Sequence, residues 1–203
     1  MAKTEVIILI PESTRKAKGG SAGTAEVDAI EESVPPPTRN RLNALREEID
    51  QKSPKSSVDR TGLSPAYQRF QGNMYRHIPA DTWERRSPAV EVVIASGLRG
   101  LLASRDTVPA YEHSMAEPMP PFGKLNRWWH DRGLPDILAA YLRAMRPARV
   151  VDLLSLEYRE AVIGFADGLS GIDVTTIDFP GMGRASQPRR GEKIAEILRS
   201  GKV

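Results

Sequence analysis

The chain has 203 residues, with 29 Lys and Arg against 26 Asp and Glu, a formal charge of +3, and 40% hydrophobic and 27% charged residues. This composition suits a folded globular protein rather than a disordered one, and the small excess of bases permits a nucleic-acid partner without demanding one. With no cysteine and only His77, His113 and His130, thiolate chemistry and disulfides are excluded, little remains for a histidine-built metal site, and neither metal nor cofactor is expected.

In chain order, VIILI at residues 6–10 is a β-branched run stopped by Pro11, which predicts a buried first strand. It falls far short of the roughly 20 apolar residues of a membrane span, and no signal peptide is legible, so a soluble, cytoplasmic chain without a membrane partner is expected. The next stretch, PESTRKAKGGSAGT, reads as a loop whose donors could face an anion or simply solvent. Residues 24–62 carry a proline run, then Leu42, Leu45 and Ile49 at helical spacing, then a Ser/Lys-rich break. They predict a variable, partly mobile helical insertion. A helix is predicted over 63–74 with Ser64 as N-cap and Pro65 in the first turn, and a short one after Pro79. Residues 90–95 form a second strand. Two helices broken at Gly133 and Pro135 cover 124–145, strands three and four cover 149–154 and 173–179, and a last helix covers 192–198. Strands alternating with helices predict one α/β domain over 1–203, with a mixed central sheet flanked by helices. Its ligand would lie where the loops after Ile10, Ala95 and Leu154 converge.

Several stretches carry candidate chemistry. In DLLSLEYRE, Asp152, Ser155, Glu157 and Tyr158 sit at a strand end, where a carboxylate and a phenol suit acid/base work or ligand orientation; equally, Ser155 could cap a helix and Tyr158 pack. FPGMGRA can be a helix-hairpin-helix turn aimed at a DNA phosphate or a plain glycine turn after a strand. Arg184, Arg189, Arg190 and Lys193 cluster beside it as candidate phosphate contacts or a solvated face. Of Trp128 and Trp129, one is expected in the core, while the other is open as a stacking platform for a base. In ASGLRGLLASRDTVPAYEHSM, Ser96 and Gly97 end a strand, Asp106 holds a loop through its backbone, and Tyr111, Glu112 and His113 return to the same sheet end.

These segments, IILIPESTRK, FQGNMYRHI, SGLRGLLASRDTVPAYEHSM, LNRWWHD and VVDLLSLEY, resemble in order the motifs of the YaaA peroxide-stress protein family. The matching positions are Lys16, Gly72, Asn73, Tyr75, Ser96, Gly97, Asp106, Tyr111, Asp152, Ser155, Glu157 and Tyr158, with a weaker match at Arg190 and Gly191. The resemblance implies an α/β fold with a helix-hairpin-helix-like element and a cytoplasmic, DNA-binding role that limits iron-dependent oxidative damage. Arg99 departs from it, standing where a tyrosine is common. The alternative is an enzyme acting on a nucleobase, nucleotide or similar small polar ligand. Its expected catalytic groups are Glu157, Asp152, Lys16 and Tyr111, and its ligand-binding groups Asn73, Tyr75, Ser96, Gly97, Arg99, Ser155 and Tyr158.

Overall fold

A computed structural model describes residues 3–21, 26–54 and 58–203. Parts of the expected 24–62 insertion and of the loop after Pro11 lie outside these described residues. Five strands form the main sheet: β1 (Val6–Pro11), β3 (Val90–Ser96), β4 (Gly100–Ala103), β8 (Arg149–Asp152) and β9 (Asp173–Thr176), in the order β4-β3-β1-β8-β9. β1 runs parallel to β3, with Val6 opposite Val90, and parallel to β8, with Val6 opposite Arg149. β8 pairs parallel with β9, and β4 is the one antiparallel member, so the sheet is mixed, as the strand–helix alternation predicts. β1 is buried along its whole length, which is what an unbroken β-branched run needs: helices cover both faces, and each side chain removed from water contributes about 1.5–3 kcal/mol.

Outside the sheet, β2 (Val58–Pro65) pairs antiparallel with β5 (Thr107–Tyr111), and β6 (Pro118–Met119) with β7 (Gly123–Lys124). The helix expected over 63–74 is not formed as one element. Its first residues belong to β2, and two single turns follow, α3 (Ala66–Arg69) and α4 (Asn73–Arg76). The reason is tertiary: Phe70 is extended and bridges to Lys16, and a Cβ on Gly72 would lie 2.3 Å from Ser13 Oγ, so the chain passes too close to the β1 loop to stay helical.

The leading helical region forms α1 (Ala29–Ser33), capped by Asp28, and α2 (Pro36–Lys52), which buries Leu42, Leu45 and Ile49. Arg46 of α2 is buried too. It donates to the carbonyls of Arg99 and Leu101, each at 3.0 Å, and pairs with Asp28, fastening both helices to β4. A short α5 (Ala80–Glu84) follows Pro79. α6 (Leu125–Asp131) and α7 (Leu134–Met145) break at Gly133 as predicted, α8 (Leu156–Glu160) follows β8, and α9 (Ser186–Ser200) ends the ordered elements. α9 starts six residues earlier than its apolar spacing announces. Trp129 is fully buried, and Trp128 is buried edge-on against it and Phe122, so neither offers an open face for base stacking.

Candidate functional site at the strand ends

β1 is the point at which the sheet order reverses, with β3 on one side and β8 on the other. Parallel sheets place crevices outside the carboxyl ends at such a point. A cleft of about 340 Å³ opens there, lined by the β1 loop from Pro11 to Arg15, the α4 turn from Gly72 to Tyr75, Ser155 and Tyr158 at the start of α8, and Gln187 of α9. Its volume falls in the range of small-ligand sites. A larger cavity of about 690 Å³ shares Thr14 and Arg15 and continues along Lys16, Gln71 and Tyr111.

Between the two openings lies a buried polar cluster centred on Glu12, 4% exposed. Its Oε1 accepts from the backbone N–H of Gly97 at 2.7 Å and of Met115 at 2.9 Å, and its Oε2 accepts from the Tyr111 hydroxyl. Lys16 Nζ stands 3.8 Å from Oε2, donates to the His113 carbonyl at 3.1 Å and lies 4.0 Å from the Tyr111 ring centre. Tyr111 and Ser96 hydroxyls are 2.8 Å apart. The loops after β1 and β3 and the segment from Tyr111 to Met115 therefore meet on one carboxylate; the first two are strand-end loops the sequence singles out, while the third such loop, after Leu154, makes no hydrogen bond to Glu12 among the described residues. The sequence does not single out Glu12: a single glutamate in a Pro/Ser/Thr loop looks like any solvated acid. The available signal was its position immediately after a fully buried strand.

Burial dominates the electrostatics. It lowers the Lys16 ammonium from its ordinary value, against the opposing attraction of Glu12. It pushes the phenols of Tyr75, Tyr111 and Tyr158 well above 10, with the Glu12 charge adding to each. These three phenols therefore stay neutral, with Tyr75 and Tyr111 acting as hydrogen-bond donors. Tyr75 donates to the Pro11 carbonyl at 2.9 Å, and Tyr158 bonds Ser114 and the Met115 backbone, which opposes its rise.

The other predicted residues divide. Asn73, Tyr75, Ser155 and Tyr158 line the cleft, while Ser96, Gly97, Tyr111 and Lys16 form the polar cluster behind it. Ser155 takes the N-cap position of α8 without a side-chain cap bond. Asp152 is buried, with both oxygens engaged, Oδ1 accepting from Leu154 N at 2.8 Å and Oδ2 pairing with Arg159 at 2.6 Å, and it does not line the cleft. Glu157 is exposed and absent from the cleft wall, because the α8 turn that points Tyr158 inward leaves its neighbour in solvent. Arg99 pairs with Asp50 of α2 at 3.2 Å and faces a separate groove with Asp28, Arg46 and Asp50, so it does not reach the cleft.

The basic cluster also divides. Arg189 pairs with Glu192 and Lys193 with Glu196 along α9, Arg184 is exposed, and Arg190 is 5% exposed rather than on the surface. FPGMGRA follows a strand, β9, and leads through a single 3-10 turn (Gly183–Ala185) into α9. It is a glycine turn between strand and helix, not the hairpin of a helix pair.

A family model described as peroxide stress protein YaaA matches residues 26–186. The chain belongs to that family. No curated protein matches it. The matched segment of this family member contains α4, α8 and the cleft residues Asn73, Tyr75, Ser155 and Tyr158, whereas β1, Glu12 and Lys16 precede it and Arg190 follows it.

Proposed function

We propose that this peroxide-stress family member works in the cytoplasm by binding DNA across the face that carries the strand ends, shielding it from oxidative damage. The observation that supports this best is a rim of exposed cations on the segments forming the cleft. Arg15 lines it, Arg76 ends the α4 turn, Arg184 precedes Gln187, and Lys18 follows the β1 loop; none of the four has an ion pair among the described residues. This rim replaces most of the α9 cluster, whose charges are partnered or buried. Cations with no carboxylate partner are free to neutralise phosphates and release counterions, which makes binding steeply salt-dependent. Anisotropy titrations of duplex and single-stranded oligonucleotides at two salt concentrations test it. Affinity should fall with salt, and Arg15→Ala with Arg184→Ala should flatten the slope by about one unit per lost phosphate contact. No binding at low salt overturns the proposal.

The second reading, a cleft that binds or acts on a nucleobase, nucleotide or similar polar molecule, is favoured by one specific feature. Neutral Tyr75 and Tyr158, the Ser13 and Ser155 hydroxyls and the Asn73 amide all converge on a cavity of about 340 Å³. A bound ligand stabilises the folded state, so a thermal-shift screen of nucleotides, bases and sugars decides it. If none of these moves the melting temperature, this reading falls.

A further inference from the structure

Arg190 has no acceptor for two of its three guanidinium nitrogens, Nε and Nη1, although both are buried. The side chain is 5% exposed, and its guanidinium carbon sits 5.5 Å from the Phe179 ring centre. The two nearby carboxylates are committed elsewhere: Arg159 takes Asp152 through Nε at 2.6 Å and Asp178 through Nη2 at 2.9 Å, and also donates to the Leu154 carbonyl. Burial, followed by the like charge of Arg159, lowers the Arg190 pKa. A buried guanidinium without acceptors is costly, and arginine is the side chain whose planar fork suits bidentate oxyanions. Arg190 lies one helical turn after Gln187, which lines the cleft. Asp152 and Arg159 flank Ser155 and Tyr158, which line it from the α8 side.

We infer that Arg190 is the floor of an oxyanion subsite at the carboxyl ends of β8 and β9, filled by a phosphate or carboxylate group of whatever the cleft binds. Nε and Nη1 leave an unfilled donor on each two-donor edge of its guanidinium, so an oxyanion supplies acceptors that the protein does not. This subsite shares anion chemistry with the nucleic-acid proposal but needs no DNA, and the two fail separately when it is probed with free anions.

The test compares the full chain with Arg190→Met, which keeps the stem over Phe179 and removes the charge. Melting is followed in a buffer free of oxyanions, then with inorganic phosphate or acetate at constant ionic strength. Wild type should rise by about 3–6 °C with the effective anion at ten times its Kd. The variant should melt at or above wild type without anion and show no rise. A rise with phosphate assigns a phosphate group and a rise with acetate a carboxylate. No rise in wild type with either, an equal rise in the variant, or a variant that folds but melts below wild type without anion overturns the inference. Should the variant not fold, hydrogen exchange of the wild type decides: the effective anion should slow exchange in α8 and the first turns of α9, and unchanged exchange there refutes the subsite. Loss of the anion response with oligonucleotide affinity intact upholds the subsite and places DNA elsewhere. Absence of DNA binding with the response intact removes only the nucleic-acid proposal.

Discussion

Replacing Glu12 by glutamine should be among the most damaging single-atom changes available in this protein. The variant keeps the shape of the side chain and exchanges one oxygen for an NH2. If the remaining oxygen stays under Gly97 N and Met115 N, the new amide faces Lys16. The buried ammonium then loses its nearest counter-charge and keeps the His113 carbonyl, the Tyr111 and Phe70 rings and the weaker attraction of Glu117. Removing one partner of a buried pair costs about 3–5 kcal/mol. If the amide flips, two backbone donors confront another donor, at about 1–3 kcal/mol each. Either outcome removes a large share of the roughly 5–15 kcal/mol by which a domain of this kind is stable. In urea, with a slope of about 2 kcal/mol per molar, the midpoint should fall by about 1.5–2.5 M. Lys16→Met in the same chain should recover part of the loss, with a coupling energy of about 2 kcal/mol or more in the double-mutant cycle. An equilibrium loss below about 1 kcal/mol for Glu12→Gln, or strict additivity with Lys16→Met, would refute the view that this carboxylate joins the loops after β1 and β3 to the 111–115 segment.

Asp106 should make stability pH-dependent in the direction opposite to an ordinary salt-bridged carboxylate. It accepts from Ala29 N and Ala103 N, both at 2.7 Å, yet burial, with some help from Asp28, raises its pKa to about 7 from an unfolded 3.8. Its contribution is therefore complete below the unfolded value and is withdrawn as pH rises through about 7. Urea midpoints should show the stability advantage of wild type over Asp106→Asn shrinking by about 2–3 kcal/mol between about pH 5 and pH 8, and a constant gap would contradict this. Gly191→Ala should push α9 off α4, because the added Cβ would lie 2.2 Å from the Met74 carbonyl oxygen and 2.8 Å from His77 Cβ. The cost should be about 1–3 kcal/mol in thermal melts. Since α4 also carries Asn73 and Tyr75, anion and oligonucleotide affinity should weaken in the same variant.

The parts of this fold legible in the sequence are those whose side chains face the same environment throughout. β1 is a continuous apolar strand and β3 and β8 carry apolar runs beside Glu91 and between Arg149 and Asp152, because both sheet faces are covered, and α7 is marked by a proline near its start and an apolar stripe. β4 and β5 escape because a four-residue strand beside a glycine, and a ribbon strand containing Pro109, look like turns until a partner is known. At the cleft, Ser155 and Tyr158 are legible as polar residues just after a strand, whereas Asn73 and Tyr75, on the α4 turn, are marked only by the family resemblance. Asp152, Glu157 and Arg99 lie off the cleft wall, which the sequence hides because position does not say which carboxylate a neighbouring arginine has already taken, nor which way a helical turn faces. Arg190 carried a usable sign: it stands four residues before Ile194 and seven before Ile197, on the apolar stripe of α9, while Arg189 does not.

The pairing of β1 has a kinetic consequence. Val6 sits between Val90 and Arg149, so the central strand must wait for partners on the order of 80 and 140 residues further along the chain. During synthesis its apolar run emerges long before either neighbour exists to cover it. Contacts of such long range slow folding, and an uncovered β-branched segment is prone to self-association while it waits. The strand that anchors Glu12 in the finished molecule is thus made early and covered late.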